Sequence, residues 1–219
     1  MVNTTSFDTT DHSTPIFDTA PRGGSFGFRV AKRTFDIVVG LALLPLVLLF
    51  GIALLIVNPF ANKGKLFFVQ PRMGRDTKAF NAIKFRSMRA VEKVQRSADC
   101  PLEVDRITPL GGFLRKSRID ELPQVLNVLK GDMSLIGPRP DYYDHALHYI
   151  EEIPGYRERH DVRPGISGYA QTELGYIEGV EATRRKVAAD LHYIENASFA
   201  LEAWIFWRTL VVVFKRAGS

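Results

Sequence analysis

The sequence predicts an α/β (α+β) fold that is rich in helix, carries one short β-hairpin and is seated in a membrane. Three observations lead there. The run Ile37 to Val57, IVVGLALLPLVLLFGIALLIV, holds no charged residue over the roughly 20 residues that a hydrocarbon core requires. KLFFVQ and AFNAIKFRSM are short apolar-rich runs on either side of a turn containing RMGRDTK, the pattern of two paired strands. Leu122, Val125, Leu126 and Leu129 fall at i, i+3, i+4 and i+7, one apolar stripe of a helix over about 120–130 that Gly131 ends.

The remaining elements follow in chain order. The first 25 or so residues are rich in Ser, Thr, Asp, Pro and Gly, which reads as a disordered tail, and they lack the basic start and apolar centre of a signal peptide. Pro45 interrupts the apolar run, where its ring removes one backbone donor and predicts a kink. Cations flank the run on both sides: Arg29, Lys32 and Arg33 before it, Lys63, Lys65, Arg72 and Arg75 after it. The charge rule for orientation is therefore silent, and a kinked span and a helix that returns to its own side both fit.

Beyond the hairpin, residues 89–106 read as a polar loop and MSLIG as a short extended segment. GPRPD forces a loop, because two prolines fix the backbone. Asp141 to Ile153 and Val180 to Ile194 read as helices, with RPGISGYAQ as a loop between them. In the final stretch, Trp204 and Trp207 with Arg208, Lys215 and Arg216 suit a helix lying in a membrane interface; a core-packing helix is the alternative.

The 219 residues suffice for one domain and a membrane element. A net charge of +5 suits nucleic acid, anionic lipid or a phosphorylated substrate. Nucleic acid leaves the 37–57 segment unexplained, so no nucleic-acid partner is expected. Cys100 is the only cysteine, which excludes an internal disulfide and a cysteine-based zinc site. His145 and His148 have helical metal-ligand spacing near Asp141 and Asp144, but an exposed helix face explains them better.

The stretch RIDELPQ, Arg118 to Gln124, sets Asp120 beside Glu121 among Arg115, Lys116 and Arg118. On local pattern alone a cap accounts for Asp120: Ser117-x-x-Asp120 fits a capping box, and acidic residues suit a helix start. The wider sequence adds Arg139 between Pro138 and Pro140, and Arg163 before Pro164. Arginine binds phosphate bidentately and keeps its charge, so several on proline- and glycine-stiffened loops point to a polyphosphate pocket.

Four blocks carry a family resemblance: KRTFD, FVQPRMGRDTKAFNAIKFRSM, ITPLGGFLRKSRIDELPQVLNVLKGDMSLIGPRP and VRPGISGYAQ. In this order they resemble the bacterial sugar transferases, the monotopic polyprenyl-phosphate phosphoglycosyl transferases that initiate exopolysaccharide and glycoconjugate assembly. The resemblance implies three regions: a tail over 1–26, a re-entrant membrane helix over 27–60 broken at Pro45, and a small cytosolic catalytic domain over 61–219 ending in an interfacial helix. The family's break is often a Ser-Pro pair further along; here Leu44-Pro45 comes earlier and Phe50-Gly51 lies nearer that place.

The resemblance further implies an Asp-Glu catalytic dyad on Asp120 and Glu121. Asp120 is the expected nucleophile on the β-phosphate of a UDP-sugar, with loss of UMP and transfer of the sugar phosphate to undecaprenyl phosphate. Mg²⁺ is the implied cofactor, with Asp120 a ligand, and Arg115, Arg139 and Arg163 are the candidate phosphate contacts. The implied location is the cytoplasmic face of the bacterial inner membrane. The sugar, the downstream polymer, the role of Glu121 and any homo-oligomer stay open. Residues 165–179 are a candidate nucleotide or sugar recognition loop. The rivals are a metal-dependent membrane phosphohydrolase and a non-catalytic membrane scaffold.

Overall fold

A computed structural model describes residues 23–89, 104–174 and 180–214. The N-terminal tail through residue 22, most of the 89–106 loop with Cys100, residues 175–179, and Lys215 and Arg216 lie outside the described residues.

Helix α1 runs from Phe26 to Ala61, 36 residues or about 54 Å. Ser25 caps it by accepting from the Phe28 N–H at 3.2 Å. Its buried positions include Asp36, Gly40, Val47, Gly51, Leu54 and Asn58, which recur at helical spacing and form one stripe. The rest of its apolar surface is bare. Leu48, Leu49, Leu55 and Ile56 are each exposed, and Phe60 is 87% exposed.

The break expected at Pro45 does not interrupt the helix, which is continuous across both Pro45 and Pro59. One proline costs a single intrahelical bond. Leu43, Leu44, Val47 and Phe50 around it pack against the cluster of Phe85, Leu114 and Val125, which holds the helical path.

Strands β1 (Phe67–Met73) and β2 (Ala79–Phe85) form the expected antiparallel hairpin, with Phe67 opposite Phe85 and Met73 opposite Ala79. Helix α2 covers Pro109–Lys116, with Thr108 accepting from the Gly111 N–H as its cap. The expected 120–130 helix is two pieces: a 3-10 turn over Ile119–Glu121, then α3 over Gln124–Lys130 with Pro123 at its cap position. Gly131 ends α3 at φ 99°, a left-handed conformation that favours glycine.

The short strand β3 (Ser134–Ile136) leads through the GPRPD loop into α4 (Tyr143–Glu152). Sequence reading expected a loop over RPGISGYAQ. Instead β4 (Gly165–Ser167) pairs in parallel with β3, and α5 follows over Tyr169–Leu174. A three-residue strand is too short for period-2 patterning to reveal it. Helices α6 (Val180–Glu195) and α7 (Phe199–Phe214) complete the described fold.

Polar bonds fix α1 to this body at both ends. Near its start, Asp36 accepts from the Ser134 hydroxyl at 3.1 Å and the Leu135 N–H at 3.0 Å, while Arg33 donates to the carbonyls of Val128 and Leu129. Lys32 pairs with Glu202 of α7 at 2.7 Å. At its end, the Asn62 amide donates to the Arg86 carbonyl at 2.7 Å.

Midway, Gly40 lets α1 press onto α3, where a Cβ would stand 2.9 Å from Leu129 Cδ2. Gly40→Val is expected to lower the melting temperature in detergent by the equivalent of about 1–3 kcal/mol of overpacking. Adding Leu129→Ala to the same chain should recover part of that loss. Two additive losses would show that the contact is not what holds the helices together.

Candidate active site

The dyad sits in a turn with unusual backbone. Arg118 adopts φ 58° and ψ 12°, left-handed geometry that a non-glycine residue rarely takes. The turn it starts is closed by Glu121 N–H to Arg118 carbonyl and Leu122 N–H to Ile119 carbonyl, both 3.1 Å. Asp120 and Glu121 are both buried.

The capping reading of Asp120 does not hold. Ser117 ends α2, and its hydroxyl donates to the carbonyls of Phe113 and Leu114. Asp120 lies inside the 3-10 turn, which has no side-chain cap, and its buried Oδ1 accepts no hydrogen bond.

Glu121 is saturated. Arg139 donates to both of its oxygens, from Nη1 at 3.2 Å and Nη2 at 2.5 Å. Lys84 of β2 donates to Oε1 at 2.7 Å, and Arg118 Nη1 lies 3.6 Å from Oε2. These cations hold the Glu121 carboxyl well below the usual carboxylate range, although burial works against them. Asp120 goes the other way: burial first, then the Glu121 charge, push it up to about 6, against the pull of Lys84, Arg115 and Arg139. Burial also lowers Lys84 to about 8 and, with Arg139 beside it, Arg72 to about 10.

A second buried layer holds the arginine loop. Arg72 of β1 donates to the Pro140 carbonyl at 2.8 Å, and the Met73 N–H donates to the Asp141 carbonyl at 3.1 Å. Asp141 accepts from Lys186 at 2.6 Å, Arg159 at 2.5 Å and the Tyr156 hydroxyl at 2.9 Å. Arg159, only 1% exposed, also donates to the Arg139 carbonyl at 2.8 Å and pairs with Asp190 at 2.7 Å. The Arg139 side chain is thus aimed by its own flanking prolines and by this ion cluster behind it.

The structure brings Asp120, Glu121 and Arg139 together. Arg115, in the last turn of α2, stands close enough for its charge to pull on Asp120, and its Nη1 approaches Met88 Sδ at 3.9 Å. Arg163 is elsewhere. It donates to the Gly131 carbonyl at 2.9 Å, at the far end of α3 from the dyad, with Arg33 and Arg75 as its charged neighbours.

Sequence reading missed Lys84, Arg72 and the Asp141–Arg159–Lys186–Asp190 cluster. Lys84 had a signal, since it shares a strand face with buried Ala82 two residues earlier. The others come from distant segments that only the fold unites. His148 pairs with Glu152 on α4 at 3.4 Å, and among the described residues no cluster of three His, Cys, Asp or Glu could hold a metal.

The model of the family described as bacterial sugar transferase matches residues 27–216. The chain belongs to that family. Among curated sugar transferases, it is 40% identical over 189 residues to the UDP-N-acetylgalactosamine-undecaprenyl-phosphate N-acetylgalactosaminephosphotransferase of Aeromonas hydrophila, covering 86% of this chain and 44% of that one. It is 39% identical over 194 residues to the UDP-glucose:undecaprenyl-phosphate glucose-1-phosphate transferase of Caulobacter vibrioides, covering 86% and 68%. A third relative, the exopolysaccharide production protein PSS of Rhizobium leguminosarum bv. phaseoli, is 36% identical over 192 residues, covering 83% and 94%. The chain thus spans under half of the first relative's length and nearly all of the third's.

The raised Asp120 value gives this bacterial sugar transferase a pH signature. Below the ordinary aspartate range, folded and unfolded chains both hold the proton and Asp120 costs nothing. Between the ordinary aspartate value and about 6 the unfolded chain has released a proton that native Asp120 still holds, so stability falls across that window relative to a neutral side chain and levels off above it. Asp120→Asn is therefore expected to melt higher than the wild type at pH 7.5, with the gap closing by pH 4. A gap independent of pH would assign the effect to packing.

Proposed function

We propose that this chain transfers a sugar 1-phosphate from a UDP-sugar to a polyprenyl phosphate, with undecaprenyl phosphate as the lipid, as the first membrane step of exopolysaccharide or glycoconjugate synthesis. One observation carries the reading: Asp120 is a buried carboxylate with an unpartnered oxygen inside a ring of cations that are already matched to Glu121. The names of the Aeromonas and Caulobacter relatives supply the substrate class.

In this reading an Asp120 oxygen attacks the β-phosphorus of the UDP-sugar. The bond from that phosphorus to the oxygen bridging the α-phosphate breaks, and UMP leaves with the electron pair. The polyprenyl phosphate oxygen then attacks the same phosphorus and frees the Asp120 carboxylate. Lys84, Arg115 and Arg139 offset the repulsion between carboxylate and phosphate. Glu121, with its oxygens taken and its pKa low, orients Lys84 and Arg139 and is a poor proton acceptor.

The unpartnered Asp120 Oδ1 fits a site for Mg²⁺, an ion content with one or two protein carboxylates plus phosphate and water oxygens. When bound there, Mg²⁺ would supply further neutralisation of phosphate charge.

The reading includes a re-entrant placement of α1 on the cytoplasmic face of the bacterial inner membrane. The support is mechanical. Both ends of α1 are bonded to one folded body, which disfavours placing them on opposite sides of a bilayer. Its bare leucine and isoleucine surface and the exposed Trp207 and Phe206 of α7 then face lipid.

The chemistry is tested by UMP release from a panel of UDP-sugars with Mg²⁺, with and without undecaprenyl phosphate, and by the mass of the Asp120 peptide. Lipid-dependent UMP production and a sugar-phosphate adduct on Asp120 are expected, both reduced about a thousandfold or more in Asp120→Asn. UMP release indifferent to lipid would indicate hydrolysis instead. Topology is tested separately by placing cysteines at Ser25 and Lys63 in a chain whose Cys100 is changed to serine. Neither end is expected to label from the periplasm, and labelling of one end alone would overturn the re-entrant placement.

A further inference from the structure

A second basic recess lies at the other end of α3 from the dyad, about 15 Å away along the turn and helix. It is a cavity of about 80 Å³ whose lining includes Arg29, Lys32, Arg33, Arg75, Arg163 and Asp36. Three chain segments supply these residues: the first turns of α1, the hairpin tip and the loop before β4.

The cations here are unevenly matched. Lys32 is spent on Glu202, and Arg33 on the Val128 and Leu129 carbonyls. Arg163 uses Nε on the Gly131 carbonyl, and its guanidinium is held below its ordinary value by burial and by the charges of Arg75 and Arg33. Among the described residues Arg75 pairs with the exposed, adjacent Asp76 at 3.3 Å, and Asp161 also lines the recess. Asp36 is occupied by Ser134 and Leu135. Crowded guanidinium groups around a small cavity are relieved by an anion with several acceptor oxygens, and a phosphate suits their fork geometry.

The surroundings identify which phosphate. Phe28 of α1 meets Phe199 of α7 at 5.0 Å beside the recess. On the same two helices Phe26 is 75% exposed, and Val30, Phe35 and Phe199 are exposed. A charged socket beside bare apolar helix faces matches a molecule with an anionic head and hydrocarbon tails.

We propose that this recess binds the phosphate head of an anionic phospholipid and seats the first turns of α1 in the membrane, at a site separate from the Asp120 centre. The inference uses the membrane placement given above but not the transferase chemistry, so lipid retention can fail while transfer stands, and the reverse.

The test is native mass spectrometry of the full chain released from detergent with phosphatidylglycerol or phosphatidylcholine. The wild type is expected to retain phosphatidylglycerol preferentially. Arg75→Gln should weaken that retention about fivefold, and adding Arg163→Gln should weaken it further by a similar factor. Arg75 is half exposed and its replacement is expected to leave the fold intact, so the single variant decides if the double variant misfolds. Lys63→Gln makes the same charge change at the opposite end of α1 and should leave retention unchanged. Equal losses in Lys63→Gln and Arg75→Gln would overturn the site in favour of diffuse charge. Displacement of phosphatidylglycerol by millimolar inorganic phosphate, or no preference over phosphatidylcholine in the wild type, would overturn the lipid as its occupant.

Discussion

Two carboxylates on adjacent residues, both buried, repel each other, and every other feature of the site follows from how that repulsion is resolved. The fold gives the close cation contacts to one of them. Glu121 takes Arg139 through two bonds and Lys84 through a third, so it stays ionised in spite of its burial. Asp120 receives only the outlying pull of the same cations and keeps one oxygen without a partner. A symmetric division would have given two ordinary ion pairs and no unpartnered oxygen. The asymmetry is what makes one carboxylate structural and its neighbour available.

This division needs a rigid source of cations, because a buried charge that loses its partner is costly. Each of the main cations is fixed differently. Lys84 stands on a hairpin strand, with its backbone in ladder register. Arg115 ends a capped helix whose start is set by Thr108. Arg139 has no secondary structure under it, and there Pro138, Pro140 and the buried Arg159 compensate, the last by holding the Arg139 carbonyl from behind. The left-handed Arg118 then tightens the turn so that both acidic side chains face this wall and not the solvent.

Much of this was legible in the sequence, for identifiable reasons. The hairpin and the helices around 141–153 and 180–194 were readable from apolar patterning, and the cluster at 115–140 from its density of unlike charges and prolines. The cap assigned to Asp120 failed because a capping box assumes an extended backbone at the first residue, whereas Ser117 is the helical end of α2. Helix α1 keeps its helical hydrogen-bond pattern through Pro45, where Leu43, Leu44 and Val47 pack with Phe85, Leu114 and Val125. Strand β4 was hidden because its pairing partner lies about 30 residues earlier, and no local pattern encodes a parallel contact. Arg163 illustrates a wider limit. Beside a proline it looked like a phosphate ligand of the dyad, yet chemistry read from a residue type says what the residue can bind, not where the fold will place it.

That placement has its own logic. Helix α3 is short, and its two ends face different tasks. Its N-terminal side leads out of the dyad turn, where the free amide ends of a helix favour negative charge. Its C-terminal side exposes carbonyls, and Arg33 and Arg163 cap them. Arg33 belongs to α1, so the long apolar helix is bonded to the same short helix whose other end follows Asp120. Gly40 brings the two helices into direct contact between these points. The depth at which α1 sits therefore fixes the height of Asp120 through one rigid element. In the proposed transfer, a phosphate carried on a lipid meets that carboxylate only where this height matches the headgroup layer, which would tie the apolar face of α1 to the chemistry as closely as any residue of the dyad.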